Sequence, residues 1–296
     1  MRISTVILPV YRWPTAQEHW RRAEELGLHA AYTFDHLAWR SFRGGPWLGA
    51  VPTLTAAALV TSRIRLGTMV ASPNFRHPVT LAQDLMSLDD ISGGRVTAGI
   101  GAGGEGYDTT ILGQRAWTPR ERADRFAEFL PLLDRLLTRP ATTSRGTHYS
   151  AVEAPMIPGC VQRPRIPFTV AATGPRGLAL TARHGQGWAT FGDRWHAAEQ
   201  SGDAAAASVR DQVTRLNEAC AALDREPGDL EKVYLTGFTK DPWQASVDAF
   251  VDLAGRFSGL GITEVVLHWP VPGTMFDGCQ ETFEKIVTEA AGQLAG

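Results

Sequence analysis

Short runs rich in apolar and β-branched residues alternate along this chain with longer stretches whose apolar positions recur at helical spacing. Strands are predicted over residues 2–8, 29–34, 64–71, 95–101, 168–172, 187–190, 233–238 and 263–268. Helices are predicted over 15–26, 53–61, 79–90, 119–137, 175–184, 204–223 and 242–257, with a last one whose apolar face carries Phe283, Ile286, Val287, Ala290 and Leu294. The fourth of these helices has the clearest start. Thr118 suits the N-cap, Pro119 the first helical position, and Glu121 completes a capping box, after which Ala123, Phe126, Leu130, Leu133 and Leu137 form one apolar face.

The rhythm breaks once. Residues 138–167 are rich in Pro, Gly and Thr, and Thr147-His148-Tyr149-Ser150 has the pattern of a hairpin edge. Because the alternation resumes afterwards, this stretch reads as an insertion and not as a boundary between domains. Parallel strands need crossover helices, and eight strand–helix units can close on themselves, so the predicted architecture is a (β/α)8 TIM barrel spanning residues 1–296. An open doubly wound sheet is the competing topology.

Composition agrees with that architecture. The 296 residues accommodate the roughly 250 of a typical α/β barrel together with the insertion. With 29 basic and 31 acidic residues, the net charge of −2 gives no electrostatic case for a nucleic acid or an anionic membrane as partner. Cys160, Cys220 and Cys279 form no CxxC, and the histidines form no HxxxH pair, so no metal site is expected. No run approaches the ~18 apolar residues of a membrane span, and no targeting segment is visible. The odd, scattered cysteines fit reduced thiols, and the expected location is cytoplasmic.

In a parallel barrel, chemistry gathers where the strands end. The second strand ends at Phe34-Asp35-His36, the third at Met69-Val70-Ala71-Ser72-Pro73-Asn74, and the fourth at Gly101-Ala102-Gly103-Gly104-Glu105. The fifth ends at Ala172-Thr173-Gly174-Pro175-Arg176-Gly177 and the eighth at His268-Trp269. His36 can titrate near neutrality, with Asp35 as a neighbouring carboxylate, although successive strand residues face opposite ways; the plainer reading is a loop acid and a surface imidazole. Residues 172–177 follow a strand and open a helix, as a phosphate cradle requires, with Arg176 adding positive charge; an ordinary βα turn fits equally. Gly99-Ile100-Gly101-Ala102-Gly103-Gly104 resembles a dinucleotide fingerprint but is not followed at once by a helix, and its glycines would instead let a flat ring approach the backbone. Glu105 is either a general acid or an exposed loop residue. Trp39, Trp47, Trp117, His268 and Trp269 are candidates for an apolar substrate pocket, with core or rim packing as the alternative. No G-x-S-x-G elbow supports a serine hydrolase.

Several runs together resemble the bacterial luciferase-like oxidoreductase superfamily. They are Phe34-Asp35-His36-Leu37, Ser62-Arg63-Ile64-Arg65-Leu66-Gly67-Thr68, Arg76-His77-Pro78, Leu88-Asp89-Asp90-Ile91-Ser92-Gly93-Gly94-Arg95, Gly99-Ile100-Gly101-Ala102-Gly103 and Ala171-Ala172-Thr173-Gly174. The resemblance implies a barrel that binds coenzyme F420 or, alternatively, FMN. It implies a bulge at Met69-Val70 beneath the ring, where relatives often hold a non-proline cis peptide. Asp35, Ser72, Gly103 and Ala172 would also contact the cofactor, and Thr173, Gly174, Arg176 and Gly177 would hold its phosphate. His36 resembles a histidine beside the reactive face of a deazaflavin, and Glu105 an acid of sugar-phosphate dehydrogenases in that branch. The expected activity is hydride transfer between the deazaflavin and a small organic substrate. The alternatives are an FMN-dependent monooxygenase served by a partner flavin reductase and a cofactor-free binding protein. A homodimer is also implied.

Overall fold

The computed structural model describes residues 1–104, 107–193 and 200–294. Eight parallel strands close into a barrel: β1 (Arg2–Val6), β2 (Ala30–Thr33), β3 (Arg65–Thr68), β4 (Val96–Gly101), β7 (Phe168–Ala171), β8 (Gly187–Thr190), β9 (Glu231–Leu235) and β10 (Glu264–His268). β1 and β10 seal the ring in register from Arg2 opposite Glu264 to Val6 opposite His268. The doubly wound alternative is thereby excluded. Helices α1 (Trp13–Glu25), α2 (Ala50–Val60), α3 (Pro78–Ser92), α5 (Pro119–Thr138), α6 (Pro175–His184), α7 (Gly202–Ala221), α8 (Val247–Ser258) and α9 (Gln280–Gln293) form the outer layer. Alternation along each strand divides the core between two clusters: Val265 and Leu267 of β10 pack with the helices, while Val266 joins Val6, Tyr32 and Val233 inside the barrel.

The expected caps are present. The Thr118 hydroxyl accepts the Glu121 amide at 3.2 Å, the Glu121 carboxylate accepts the Thr118 amide at 2.8 Å, and Phe126, Leu130, Leu133 and Leu137 are buried. α8 starts later than expected because the Ser246 hydroxyl, not Pro242, sets its first turn by accepting the Ala249 amide. The insertion is an antiparallel hairpin of β5 (Ala141–Arg145) and β6 (Ser150–Pro155). Thr147, His148 and Tyr149 lie in its turn instead of on an edge strand, and their amides all point at the Glu128 carboxylate on α5. The segment read as a polar loop before α5 contains a short helix, α4 (Tyr107–Ile111), which carries Asp108 into the structure.

β4 owes its glycines to packing. A Cβ at Gly99 would collide with the Thr68 carbonyl oxygen, and one at Gly101 would lie 2.9 Å from a Val70 methyl. These residues let the end of β3 lie flat against β4. Replacing Gly99 by Ala places a methyl against backbone that cannot swing away, so Gly99→Ala should lower stability by about 3 kcal/mol. A drop in the urea midpoint would show it; an unchanged midpoint would remove the packing role.

Candidate active site

Asp35 and His36 leave the end of β2 in different directions and find different partners. Asp35 is buried, and the Arg76 guanidinium grips it with two parallel hydrogen bonds of 3.0 and 2.7 Å. Arg76 reaches Asp84 of α3 as well, at 3.4 Å. A fork-to-carboxylate pair of this kind fixes geometry as well as charge, and it ties the end of β2 to the approach of α3. Asp35 is thus held by Arg76 and braces the end of β2.

The carboxylate that meets His36 is Asp108. Its Oδ2 lies 2.8 Å from His36 Nδ1, and its Oδ1 accepts the Leu37 amide at 2.7 Å. Asp108 is buried, whereas the imidazole keeps about a fifth of its surface exposed. An ionised carboxylate only accepts, so this arrangement puts a proton on Nδ1, the nitrogen that faces Asp108. The Trp47 indole N–H donates to the His36 carbonyl at 2.8 Å and fixes the backbone at the same point.

Beyond β3, the Met69–Val70 peptide is cis, as the resemblance implied. Ser72 is buried, and its hydroxyl accepts the Asn74 amide at 3.4 Å. Gly103 has a φ of 79° and sits on the Asn74 side chain, 2.5 Å from where its Cβ would be. Gly99, Gly101 and Gly103 of this run are each needed for packing, whereas a Cβ at Gly104 would meet nothing. Glu105 lies outside the described residues.

α6 opens with Gly174 at its N-cap and no capping side chain, so the amides of its first turn have no protein partner of that kind. A Cβ at Gly174 would meet nothing, so the approach is open. Such an end attracts a phosphate through its amides and its dipole. Thr173 and Ala172 are half-buried beside it, and the Ala172 carbonyl is held by the Trp188 N–H at 2.7 Å. Arg176 differs from expectation: its Nη1 donates to Asp124 of α5 at 2.6 Å, which shares its charge. Gly177 is needed for packing, since its Cβ would come within 2.8 Å of the Ala172 Cβ.

The remaining wall is aromatic. Trp39 stacks on Phe276 with ring centroids 5.7 Å apart, Phe42 touches Trp39, Trp47 and Phe276, and Phe238 meets Trp39, Phe276 and His268. His268 lies inside this box, 1% exposed, stacked at 3.8 Å on Phe276 and edge-on to Phe34. Its ring approaches the Thr236 backbone closely enough to interact with it, although among the described residues neither ring nitrogen meets strict hydrogen-bond geometry. Burial pushes its pKa down to about 3, against a smaller opposite pull from the Thr236 backbone. Trp39 and Trp47 belong to this wall, but two expected members do not. Trp269 is the next residue after the inward-facing His268, so it points outward and packs on His19 and Phe283 of the helix layer. Trp117 stands apart at the start of α5 beneath the Arg125 guanidinium, 3.7 Å away. The sequence reading missed Arg76, Asp108, Phe42, Phe238 and Phe276, and it named Asn74 at a strand end without giving it a role. Arg76 did fall within a quoted motif, and Asp108 fell in a segment read as loop. Among the described residues, no group of three or more metal-ligating side chains gathers and no helix is long and apolar enough to cross a membrane.

Two stability predictions follow from these burials. Arg76→Met strands the Asp35 carboxylate and should cost about 3–5 kcal/mol. Adding Asp35→Asn should recover part of that loss, measured by urea denaturation; no recovery would mean that Arg76 acts elsewhere. For His268 the folded pKa lies below the unfolded value of 6.5, so the unfolded chain binds the extra proton first. Its contribution is intact above pH 6.5 and is lost as pH falls toward 3, amounting to about 2 kcal/mol between pH 7 and 5. The pH dependence of stability in His268→Phe should be flatter by that amount, and identical slopes in the two proteins would refute the assignment.

Relatives place this arrangement in a family. A family model described as luciferase-like monooxygenase matches residues 3–249. An F420-dependent glucose-6-phosphate dehydrogenase from Beutenbergia cavernae is 34% identical over 224 residues, covering 74% of this chain and 62% of that protein. An F420-dependent hydroxymycolic acid dehydrogenase from Mycobacterium tuberculosis is 34% identical over 175 residues, 57% of this chain and 47% of that one. The match thus spans less than two thirds of the length of either relative. Among solved structures, the coenzyme F420-dependent tetrahydromethanopterin reductase of Methanopyrus kandleri shares the fold, with a TM-score of 0.77 at 17% identity over 99% of both chains. A barrel of this topology, matched over most of its length, belongs to the luciferase-like monooxygenase family.

Proposed function

We propose that this protein is an F420-dependent oxidoreductase that moves a hydride between the deazaflavin and a small organic substrate, with His36 handling the accompanying proton. The observation that carries the reading is the His36–Asp108 pair beyond the end of β2, an imidazole with one nitrogen tied to a buried carboxylate and about a fifth of its surface exposed. The F420-dependent relatives support the deazaflavin over FMN. The residues present fit such a cofactor: the open first turn of α6 offers amides to a phosphate, and the Met69–Val70 turn offers a backbone platform. When bound, the deazaflavin supplies a ring carbon that accepts or returns a hydride.

The chain's own residues do the rest. Thr173, Gly174 and the α6 amides would hold the phosphate, and Met69, Val70, Ser72 and Gly103 would support the ring. The aromatic wall excludes water, which strengthens every polar contact inside the mouth. Asp108 positions His36 so that Nε2 receives the proton when the substrate is oxidised and returns it when the substrate is reduced.

Purified protein should quench F420 fluorescence on binding at micromolar concentration, and FMN should bind more weakly; preferential FMN binding would reverse the cofactor assignment. His36→Ala should lower turnover by about 10²–10⁴-fold with little change in F420 affinity. Asp108→Asn is the sharper variant. An amide has one acceptor oxygen, and the Leu37 N–H takes it, so the NH₂ must face Nδ1 and impose the opposite tautomer. Imidazole ¹⁵N shifts of the cofactor-free protein should move from the Nδ1–H to the Nε2–H form, together with a loss of turnover similar to that of His36→Ala. Unchanged shifts and full turnover would dismiss Asp108 as the positioning group.

A further inference from the structure

We propose that the cavity between α5 and the insertion hairpin is a binding site for a small phosphate monoester with an apolar or aromatic body, separate from the barrel mouth and from the first turn of α6. The cavity measures about 430 Å³ and is lined by α5, the hairpin and His184, the last residue of α6.

The carboxylates of this cavity are already taken, and its guanidiniums are not. Glu128 accepts the amides of Thr147, His148 and Tyr149 at 3.1, 2.8 and 3.3 Å. Asp134 accepts from Arg165 at 2.5 Å and faces His184 Nδ1 at 3.2 Å. Arg135 and Arg145, the two arginines of the lining, have no carboxylate partner among the described residues. Arg135 on α5 gives Nη2 to the Ser144 hydroxyl at 2.8 Å, and its buried Nε has no partner. A guanidinium N–H buried without an acceptor costs stability, and an oxyanion beside it would supply one. Arg145 follows Ser144 on β5 and lines the same cavity. Because Arg165 offsets Asp134, two cations stand here against Glu128 alone. Like charges gathered in one cavity repel, and a dianion between them would reverse the sign of that interaction. One guanidinium fork fills a single carboxylate, whereas two guanidiniums from separate elements call for the larger set of acceptor oxygens on a phosphate. Ala127, Pro131, Leu132 and Tyr149 give the lining its apolar part. A bare phosphate fills a small part of this volume, so that surface is left for a carbon body. Bound there, the ester would bridge α5 and the hairpin, which are already joined through Glu128 and the Arg135–Ser144 bond.

The probe is phenyl phosphate, titrated by calorimetry into the whole protein at constant ionic strength, with inorganic phosphate and benzyl alcohol as its separate parts. Phenyl phosphate should bind about tenfold tighter than inorganic phosphate, the alcohol should not bind, and the side-chain Nε–H signal of Arg135 should shift during the titration. Arg145→Ala, at an exposed position, should weaken phenyl phosphate about tenfold or more, the value of one charge-assisted hydrogen bond. Arg135→Lys, which keeps the charge and loses the fork, should weaken it as well. Saturating F420 should leave the binding unchanged. Absence of phenyl phosphate binding, or unaltered affinity in both variants, would overturn the site. Displacement by F420 would put the ester on the first turn of α6 and overturn it too. Equal affinity for inorganic phosphate would overturn the monoester as its ligand.

Discussion

The structure turns on the two-residue repeat of a parallel strand. Each strand of the barrel sends alternate side chains to the interior and to the helix layer, and closure brings all the strand ends to one rim. Two neighbours in sequence at such an end therefore live in different surroundings. Asp35 turns to Arg76 and His36 to Asp108; His268 enters the aromatic box and Trp269 leaves it for His19 and Phe283. The site is assembled from one residue of each pair, and its partners arrive from elements far away in sequence.

That division separates bracing from chemistry. Asp35 and Asp108 are both buried carboxylates near His36, but their partners assign them different work. Asp35 faces a guanidinium that is always charged, so the pair is a fixed strut whose gain over burial is geometric. Asp108 faces an imidazole, a side chain suited to general acid–base work, and it also holds the Leu37 backbone. Bonding both to the ring and to the peptide that follows it, Asp108 sets the imidazole's orientation as well as its tautomer. The arrangement is economical: a helix of five residues supplies the one carboxylate that the end of β2 could not aim correctly.

What the sequence made legible follows the same physics. Periodicity within a single element is local, so the strand and helix order, the insertion and the Thr118–Glu121 box could be read directly, and eight alternating units left little choice but a barrel. The strand ends named the rim residues for the same reason. Which residues meet across the rim is not local. Arg76 is 41 positions from Asp35 and Asp108 is 72 from His36, and no periodicity links them. The two misplaced tryptophans show a finer failure. Trp269 needed its inward or outward parity, which depends on register, and Trp117 needed to be seen beside Arg125. The glycines of β4 were read as space for a ligand, but the space is filled by Thr68 and Val70 of the same fold.

The aromatic box gives the rim its other half. Phe34, Trp39, Phe42, Phe238 and Phe276 come from the ends or following loops of β2, β9 and β10, and they bury one another more completely than a polar substrate site would permit. Within such a box a phenylalanine at position 268 would satisfy every packing demand, since the imidazole already stacks on Phe276 with its plane only 7° away. The histidine instead brings a polar ring into the box, where burial pushes its pKa down to about 3 against a smaller opposite pull from the Thr236 backbone. It lies on the inner face of the barrel rim and packs edge-on against the same Phe34 ring as His36.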